Sequence, residues 1–196
     1  MNTPTLTDAQ LVLASVADPN AFGEVFDRHA RTIYRFAWRR LGTALAKDVT
    51  AETFSIAFER RAGFDPRRGD VLPWLFGIAT NVISSHRRAE RRQLRAVRVD
   101  REWVDALDDV EDRVDAEASG PALARALSAL RPHDRDALLL FAWTDLGYDG
   151  VAKALEIPSG TVGSRLNRAR RIVRAELRRA GWAAGPEADP EKGVDR

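Results

Sequence analysis

An arginine-rich segment near the C-terminus carries the residue types that read duplex DNA. Seven arginines and one acid, Glu176, lie between Arg165 and Arg179, a net charge of +6. On a helix, four residues share an apolar face that would pack inward: Val162, Leu166, Ala169 and Val173. Six polar side chains occupy the other face and its flanks: Thr161, Ser164, Arg165, Asn167, Arg168 and Arg171. Arg and Asn can bind base edges, while Ser, Thr and further arginines hold phosphates, so these six are candidate DNA contacts.

The residues before this segment predict a helix-turn-helix. A short helix containing Val151, Ala152 and Leu155 precedes the turn 156–158, and Ser159 is the predicted N-cap of the second helix. Ala152 is small, as a close crossing of two helices requires, and three apolar residues would fill the gap: Ile157, Val162 and Leu166. In this motif the second helix lies in the major groove. The alternative is a basic amphipathic helix that packs on an acidic partner or on RNA.

A second candidate surface follows Asp70, the predicted cap of another helix that carries Pro73 in its first turn. The predicted buried stripe of this helix has six members: Leu72, Leu75, Ala79, Val82, Ile83 and His86. Five other residues lie about 120° away on the helix: Trp74, Ile78, Asn81, Ser85 and Arg88. Because Trp74 is aligned with polar and basic residues, it is not part of the core that the buried stripe of this helix forms. It either has a separate function or covers a neighbouring helix.

Helical periodicity runs through almost the whole chain and no strand pattern is present, so the predicted fold class is all-α. Thr7 and Gln10 form a predicted capping box for a short first helix. Gly42 and Gly63 are predicted to end the next two helices, over 21–41 and 44–62. Four more are predicted over 122–130, 134–142, 149–155 and 160–180. The chain divides into a helical domain (1–95), an acidic linker (96–119), a helix-turn-helix domain (120–180) and a disordered tail (181–196).

The charge map supports two anion-binding surfaces. The net charge is only +2, but residues 87–98 carry +5 and residues 100–117 carry −7. Two basic blocks on either side of an acidic block favour two polyanion-binding surfaces joined by a solvated connector. Ordinary helix surfaces with clustered charge are the alternative.

Several function classes are excluded or disfavoured by composition. The chain has no cysteine, which excludes disulfides and thiolate metal sites, and we expect a cytoplasmic protein. The N-terminus shows no signal peptide, and no apolar run is long enough to span a bilayer. His29, His86 and His133 are isolated in the sequence, so we expect no metal, no cofactor and no enzymatic activity.

Motifs in both domains resemble those of one family. The run GTVGSRLNRAR, from Gly160 to Arg170, is similar to the fourth region of extracytoplasmic-function (ECF) sigma factors of bacterial RNA polymerase. Upstream, residues 21–42 and 46–61 resemble the first parts of that family's second region. PWLFGIATNVISSHRR, from Pro73 to Arg88, resembles its promoter-melting helix. The resemblance covers nearly the whole chain in the expected order, with an acidic linker where larger sigma factors have a third domain.

The resemblance implies a promoter-recognition subunit that recruits core polymerase and initiates transcription. The −35 element would be read as duplex by the six candidates on the second helix of the motif. The −10 element would be bound as melted strand, with a flipped base held by the loop 64–71 above Asn81. Its implied contacts are Phe64, Arg67, Arg68, Trp74, Asn81, Arg87 and Arg88, with Arg91 and Arg92 as further phosphate ligands. The implied polymerase-binding residues are Asp48, Thr50, Glu52, Thr53 and Phe54.

The implied partners are the clamp helices and flap of core RNA polymerase, promoter DNA and an anti-sigma factor. Four positions depart from the family pattern. Gly150 replaces a usual Glu, Gly163 replaces a usual basic residue, and Ser85-His86 replace Asp and an aromatic. The alternative function is a dimeric helix-turn-helix regulator with an N-terminal sensing domain.

Overall fold

The computed structural model describes residues 6–98 and 121–182, so most of the predicted acidic linker and tail lie outside the described residues. The elements are α1 (Asp8–Ala14), α2 (Ala21–Arg60), α3 (Val71–Arg98), α4 (Pro121–Ser128), α5 (Pro132–Trp143), α6 (Gly147–Leu155) and α7 (Ser159–Arg179). Two short 3₁₀ turns, Arg61–Gly63 and Pro66–Arg68, connect α2 to α3. The described ranges contain no strand, which confirms the all-α prediction. None of their helices is long and apolar enough to cross a bilayer.

Helix α1 begins with the predicted capping box. The Thr7 amide donates to Gln10 Oε1 at 2.8 Å, and the Gln10 amide donates to Thr7 Oγ1 at 3.3 Å. Asp8 in the first turn then accepts hydrogen bonds from Arg28 at 2.7 Å and from His29 at 2.6 Å. These bonds attach α1 to α2.

Helix α2 is interrupted at Gly42, as predicted. Its φ of 75° and ψ of −177° are not helical, and such a conformation favours glycine. The two halves of α2 pack with α3 around a core in which the Phe36 and Phe76 rings meet edge to face, with centroids 5.1 Å apart.

The predicted buried stripe of α3 was only partly right. Ile78, placed on the separate face with Trp74, is buried at 6% exposure in the main core. Leu72 and His86, which were predicted to belong to the stripe, are half-buried. Helix α3 continues to Arg98, three residues past the predicted end of the first domain.

The C-terminal bundle contains the predicted helix-turn-helix in α6 and α7. Val162 and Leu166 of the predicted gap-filling set are buried, as is the small Ala152, while Ile157 is half-buried. Glu156 ends α6 in the left-handed conformation, with φ 52°, which turns the chain sharply. The predicted cap was wrong by one position: Ser159 is the first residue of α7, and Pro158 precedes it without any side-chain cap.

The two bundles pack directly on each other. Buried residues of α2 and α3 form one continuous cluster with buried residues of α5, α6 and α7. A smaller cluster holds α4 against α5 and α7. The described part of the chain is therefore two helical bundles in contact, although the sequence predicted only two bundles joined by a linker.

Candidate DNA interface

The predicted duplex-reading face of α7 is largely open. Ser164, Asn167 and Arg171 are exposed, and Thr161 and Arg165 are half-buried. The Ser164 hydroxyl donates to the Thr161 carbonyl at 2.9 Å, which leaves its oxygen able to accept a further bond. These five side chains can meet a major groove together, because they share one side of a helix whose opposite side is buried.

Arg168 differs from these five because its guanidinium is bound within the protein. Its Nη1 donates to both carboxylate oxygens of Asp134, at 3.0 and 3.2 Å. The Asp134 side chain is 2% exposed and the Arg168 side chain 42% exposed. The arginine is therefore anchored to the first turn of α5 and keeps only part of its donor set for DNA. Sequence reasoning missed Asp134, which lies 34 positions from its partner.

Tyr148 lies beside Gly163 of α7, the position at which the resembled family usually has a basic residue. Tyr148 is 41% exposed and packs edge to face on Phe141, with ring centroids 5.1 Å apart. A β-carbon on Gly163 would lie 3.9 Å from Tyr148 Cε1, which is ordinary contact. Gly150 is different, since a β-carbon there would lie 2.8 Å from Leu146 Cβ. A larger residue at position 150 therefore requires a shift of the preceding turn.

The predicted single-strand surface has an aromatic centre. Phe64 is buried, and its ring centroid lies 5.1 Å from that of Trp74, at an interplanar angle of 48°. Both line a cavity of about 430 Å³ together with Asp65, Gly69 and Asp70. Arg67 is exposed, with its Nε 3.1 Å from Asp65 Oδ1. The Arg68 side chain lies outside the described atoms.

Asn81 is not brought to this cavity, in contrast to its predicted place beneath the loop. It is exposed and lines a separate depression with Glu52, Ile56 and Arg60 of α2. Seven residues of helix separate it from Trp74, or about 10 Å along the axis. Of the predicted phosphate ligands on α3, Arg88 and Arg92 are exposed. Arg87 donates to the Arg40 carbonyl at 3.0 Å. The Arg91 side chain lies outside the described atoms.

The residues implied for polymerase binding divide into two groups. Asp48 and Glu52 are exposed, whereas Thr50, Thr53 and Phe54 are buried. The two threonine hydroxyls donate to carbonyls one turn earlier in α2, at 2.7 and 2.6 Å. Phe54 packs edge to face against Phe26, which is 44% exposed and which the sequence reasoning missed. The exposed residues of the implied set are therefore Asp48 and Glu52, and Phe26 is exposed beside the buried Phe54.

Two of the three histidines pair with carboxylates of other helices. His29 bonds to Asp8, His86 lies 2.8 Å from Glu52, and His133 is exposed. Among residues 6–98 and 121–182, no group of three or more His, Cys, Asp or Glu side chains is placed to hold a metal ion. Partial burial would raise the pKa of Asp8, but hydrogen bonds from Arg28 and His29 outweigh it and lower that pKa below its ordinary value.

Together these features define an all-helical protein with a C-terminal helix-turn-helix and an aromatic surface on a second bundle. Two family models match it: sigma-70 region 2 over residues 25–93 and sigma-70 region 4 over residues 121–173. The sequence is 30% identical to the ECF sigma factor BldN of Streptomyces coelicolor over 82% of this chain, and 32% identical to SigE of Mycolicibacterium smegmatis over 80%. The chain belongs to the ECF class of RNA polymerase sigma factors.

The extent of these matches varies. The chain spans 61% and 62% of the lengths of BldN and SigE. It spans 95% of SigL of Mycobacterium tuberculosis, at 28% identity over 86% of this chain.

Its fold is similar to that of CnrH, solved with the cytosolic domain of CnrY, with a TM-score of 0.61 and 24% identity over 88% of this chain and 97% of that one. It is also similar to Bartonella quintana RpoE, solved with the anti-sigma factor NepR, at a TM-score of 0.58 and 22% identity, covering 81% of this chain and 98% of that one.

Proposed function

We propose that this chain is a sigma factor that brings core RNA polymerase to specific promoters and starts transcription there. The observation that carries the proposal is that one chain has an exposed polar and basic face on α7 and, on its other bundle, an aromatic pair beside a cavity. The exposed polar face of α7 suits the edges and phosphates of a duplex. The half-buried Trp74 ring, which packs on the buried Phe64, suits an unstacked base, because aromatic rings bind single strands by stacking.

The two surfaces have different tasks in this proposal. Thr161, Ser164, Arg165, Asn167 and Arg171 read the −35 element, and Arg168 contributes the donors not bound by Asp134. Trp74, supported from behind by Phe64, receives a base from the melted −10 element, and taking that base out of its stack costs a few kcal/mol. Arg67, Arg68, Arg87 and Arg88 hold strand phosphates. Asn81 acts at a distance from the aromatic pair, since it lines another depression.

The proposed partners are core RNA polymerase, promoter DNA and an anti-sigma factor. Clamp-helix contact is assigned to Asp48, Glu52 and Phe26, which are exposed, while Thr50, Thr53 and Phe54 hold this part of α2 in shape. CnrH and Bartonella RpoE were both solved with a binding protein, which supports the third partner. The chain would act in the cytoplasm and would itself catalyse no reaction, since polymerisation belongs to the core enzyme. The family relationship favours this function over a dimeric regulator.

The proposal is tested by reconstituted transcription. Core polymerase with this chain, on a library of promoter fragments from the source genome, should give run-off transcripts that core alone does not. Arg171→Ala should reduce initiation at promoters that depend on a −35 element while core binding is unchanged. The matched control is Arg178→Ala, which removes an exposed arginine about 10 Å further along α7 and should have a smaller effect. A chain that neither binds core nor directs initiation would refute the proposal.

A further inference from the structure

One edge of the DNA-facing side of α7 carries no side chain where it passes α6. Gly163 precedes Asn167, an exposed candidate DNA contact, by four residues, which places the two about 40° apart around the helix. Among the described atoms, the one neighbour that a β-carbon on Gly163 would meet within 4 Å is Tyr148 Cε1, at 3.9 Å. The Tyr148 ring therefore lies beside the edge that Gly163 leaves open.

The Tyr148 ring is supported from behind while the residue stays accessible to solvent. Tyr148 is 41% exposed, and its ring packs edge to face on Phe141 of α5. No hydrogen bond joins the Tyr148 hydroxyl to another group in the described parts of the chain. Since a phenol can both donate and accept a hydrogen bond, this hydroxyl can bind a group outside the protein.

Phe141 also holds an arginine on the same edge of α7. Arg170 follows Gly163 by nearly two turns, so it lies within about 20° of that position around the helix and about 10 Å further along it. The guanidinium carbon of Arg170 lies 5.3 Å from the centroid of the Phe141 ring, in a cation–π contact. One aromatic side chain of α5 thus positions a phenol and a guanidinium along one edge.

This edge suits a wall of the major groove. An α-helix with its side chains is about 10–12 Å across, and the major groove of B-DNA is about 12 Å wide. A helix that fills the groove directs its outer face to the base edges and its two flanks to the sugar-phosphate backbones. Tyrosine hydroxyls and arginines both bind phosphate oxygens in protein–DNA complexes. The first helix of the motif, which carries Tyr148, also crosses the backbone.

We propose that Tyr148 and Arg170, positioned by Phe141, bind phosphates on one wall of the major groove, and that the Tyr148 hydroxyl is an uncharged backbone ligand where Gly163 offers none. Neither residue belongs to the six candidate DNA contacts predicted from the sequence. The inference rests on the proposed binding of duplex DNA by α7. Because a phenol is neutral, its contact adds affinity without the counterion release that a basic side chain causes.

The salt dependence of duplex binding distinguishes the two contacts. The full-length chain is titrated into a short fluorescein-labelled duplex, and fluorescence anisotropy gives the Kd over a range of NaCl concentrations. Tyr148→Phe keeps the ring on Phe141 and removes the hydroxyl, so it should weaken binding about fivefold at every salt concentration. Arg170→Gln removes a charge, so it should reduce the slope of log K against log salt by about 0.9.

Tyr34 provides the matched control, since it is the other tyrosine of the chain and lies half-buried in the N-terminal bundle. Tyr34→Phe should change neither the Kd nor the slope. Gly163→Lys places an ammonium group on the same edge and should steepen the slope by about 0.9. In that background Tyr148→Phe should weaken binding by less than about twofold, because the lysine already binds the phosphate.

The outcomes distinguish this contact from the proposed function. If Tyr148→Phe binds the duplex as tightly as Tyr34→Phe, or if it changes the salt slope as Arg170→Gln does, the role assigned to the Tyr148 hydroxyl is wrong. An undiminished loss in the Gly163→Lys background would show that the hydroxyl does not replace a ligand at position 163.

Absence of duplex binding by the unchanged chain would also overturn the contact. Core binding and run-off transcription test the sigma-factor function independently of these titrations. A chain that needs the Tyr148 hydroxyl to bind duplex but does not bind core polymerase would refute the proposed function and leave the contact in place.

Discussion

At the scale of single residues, Arg168 contributes both to the stability of the fold and to the proposed DNA-binding face. Its guanidinium neutralises the buried carboxylate of Asp134 as well as facing the proposed duplex site. We expect Arg168→Ala to lower the free energy of unfolding by about 2 kcal/mol, because it leaves Asp134 buried without its charged partner. Arg171→Ala, which removes an exposed arginine from the same helix, should change it by less than about 0.5 kcal/mol. Urea unfolding of both variants measures the difference.

A double variant separates the charge from lost packing. Adding Asp134→Asn to Arg168→Ala removes the unpaired carboxylate and should recover part of the lost stability. If the single and double variants have the same free energy of unfolding, the charge of Asp134 does not require compensation by Arg168. Loss of DNA binding in Arg168→Ala alone therefore does not prove a base contact, and for that reason Arg171 is the better test of recognition.

At the scale of elements, the docking of α1 on α2 should depend on pH through Asp8. Its pKa is lowered in the folded chain, so the ionised carboxylate stabilises the fold at pH values above the ordinary Asp pKa of about 4. That contribution is lost as the pH falls through the lowered folded pKa. Asp8→Asn should lower the free energy of unfolding by about 1 kcal/mol at pH 7. It should not change that free energy at pH values below the folded pKa of Asp8. Thermal unfolding across this range, with exposed Asp27→Asn as control, tests it.

The helix-turn-helix contains two glycines whose substitution should have opposite effects. Gly163→Ala should stabilise the protein by up to about 1 kcal/mol, because alanine favours helix and its β-carbon only touches Tyr148. Gly150→Ala should be destabilising, because its β-carbon would press on Leu146. Chemical denaturation of both variants measures the signs. A stabilising Gly150→Ala would mean that the Leu146 turn moves freely.

Local patterns predicted the elements better than their contacts. The Thr7–Gln10 box, the break at Gly42 and the helix-turn-helix core follow from capping, glycine backbone freedom and periodicity, which act within a few residues. The bonds from Arg168 to Asp134 and from Arg40 to Asp136 span 34 and 96 positions, so no local pattern indicates them. The burial of Thr50 and Phe54 was missed because family motifs mark a segment and do not say which side of it faces the core.

At the scale of the whole molecule, the continuous core predicts that the two bundles unfold together. Their separate cores would each be small, and α6 contributes to the same buried cluster as α3. Calorimetry of the full-length chain should show one transition. Two well-separated transitions would mean that the bundles fold independently and that their contact adds little stability.

The buried Arg40–Asp136 ion pair joins the two bundles, so removing one of its charges should weaken their cooperative unfolding. Asp136→Leu alone leaves a buried guanidinium without its only carboxylate partner in the described structure, at a cost of about 3–5 kcal/mol. It should split the transition or lower its midpoint. Arg40→Met combined with Asp136→Leu replaces the pair by apolar side chains, and such exchanges are often neutral or stabilising. The double variant should therefore unfold in one transition, with a midpoint at or above that of the unchanged chain. A clearly lower midpoint of the double variant in calorimetry would show that the charged pair itself stabilises the contact between the bundles.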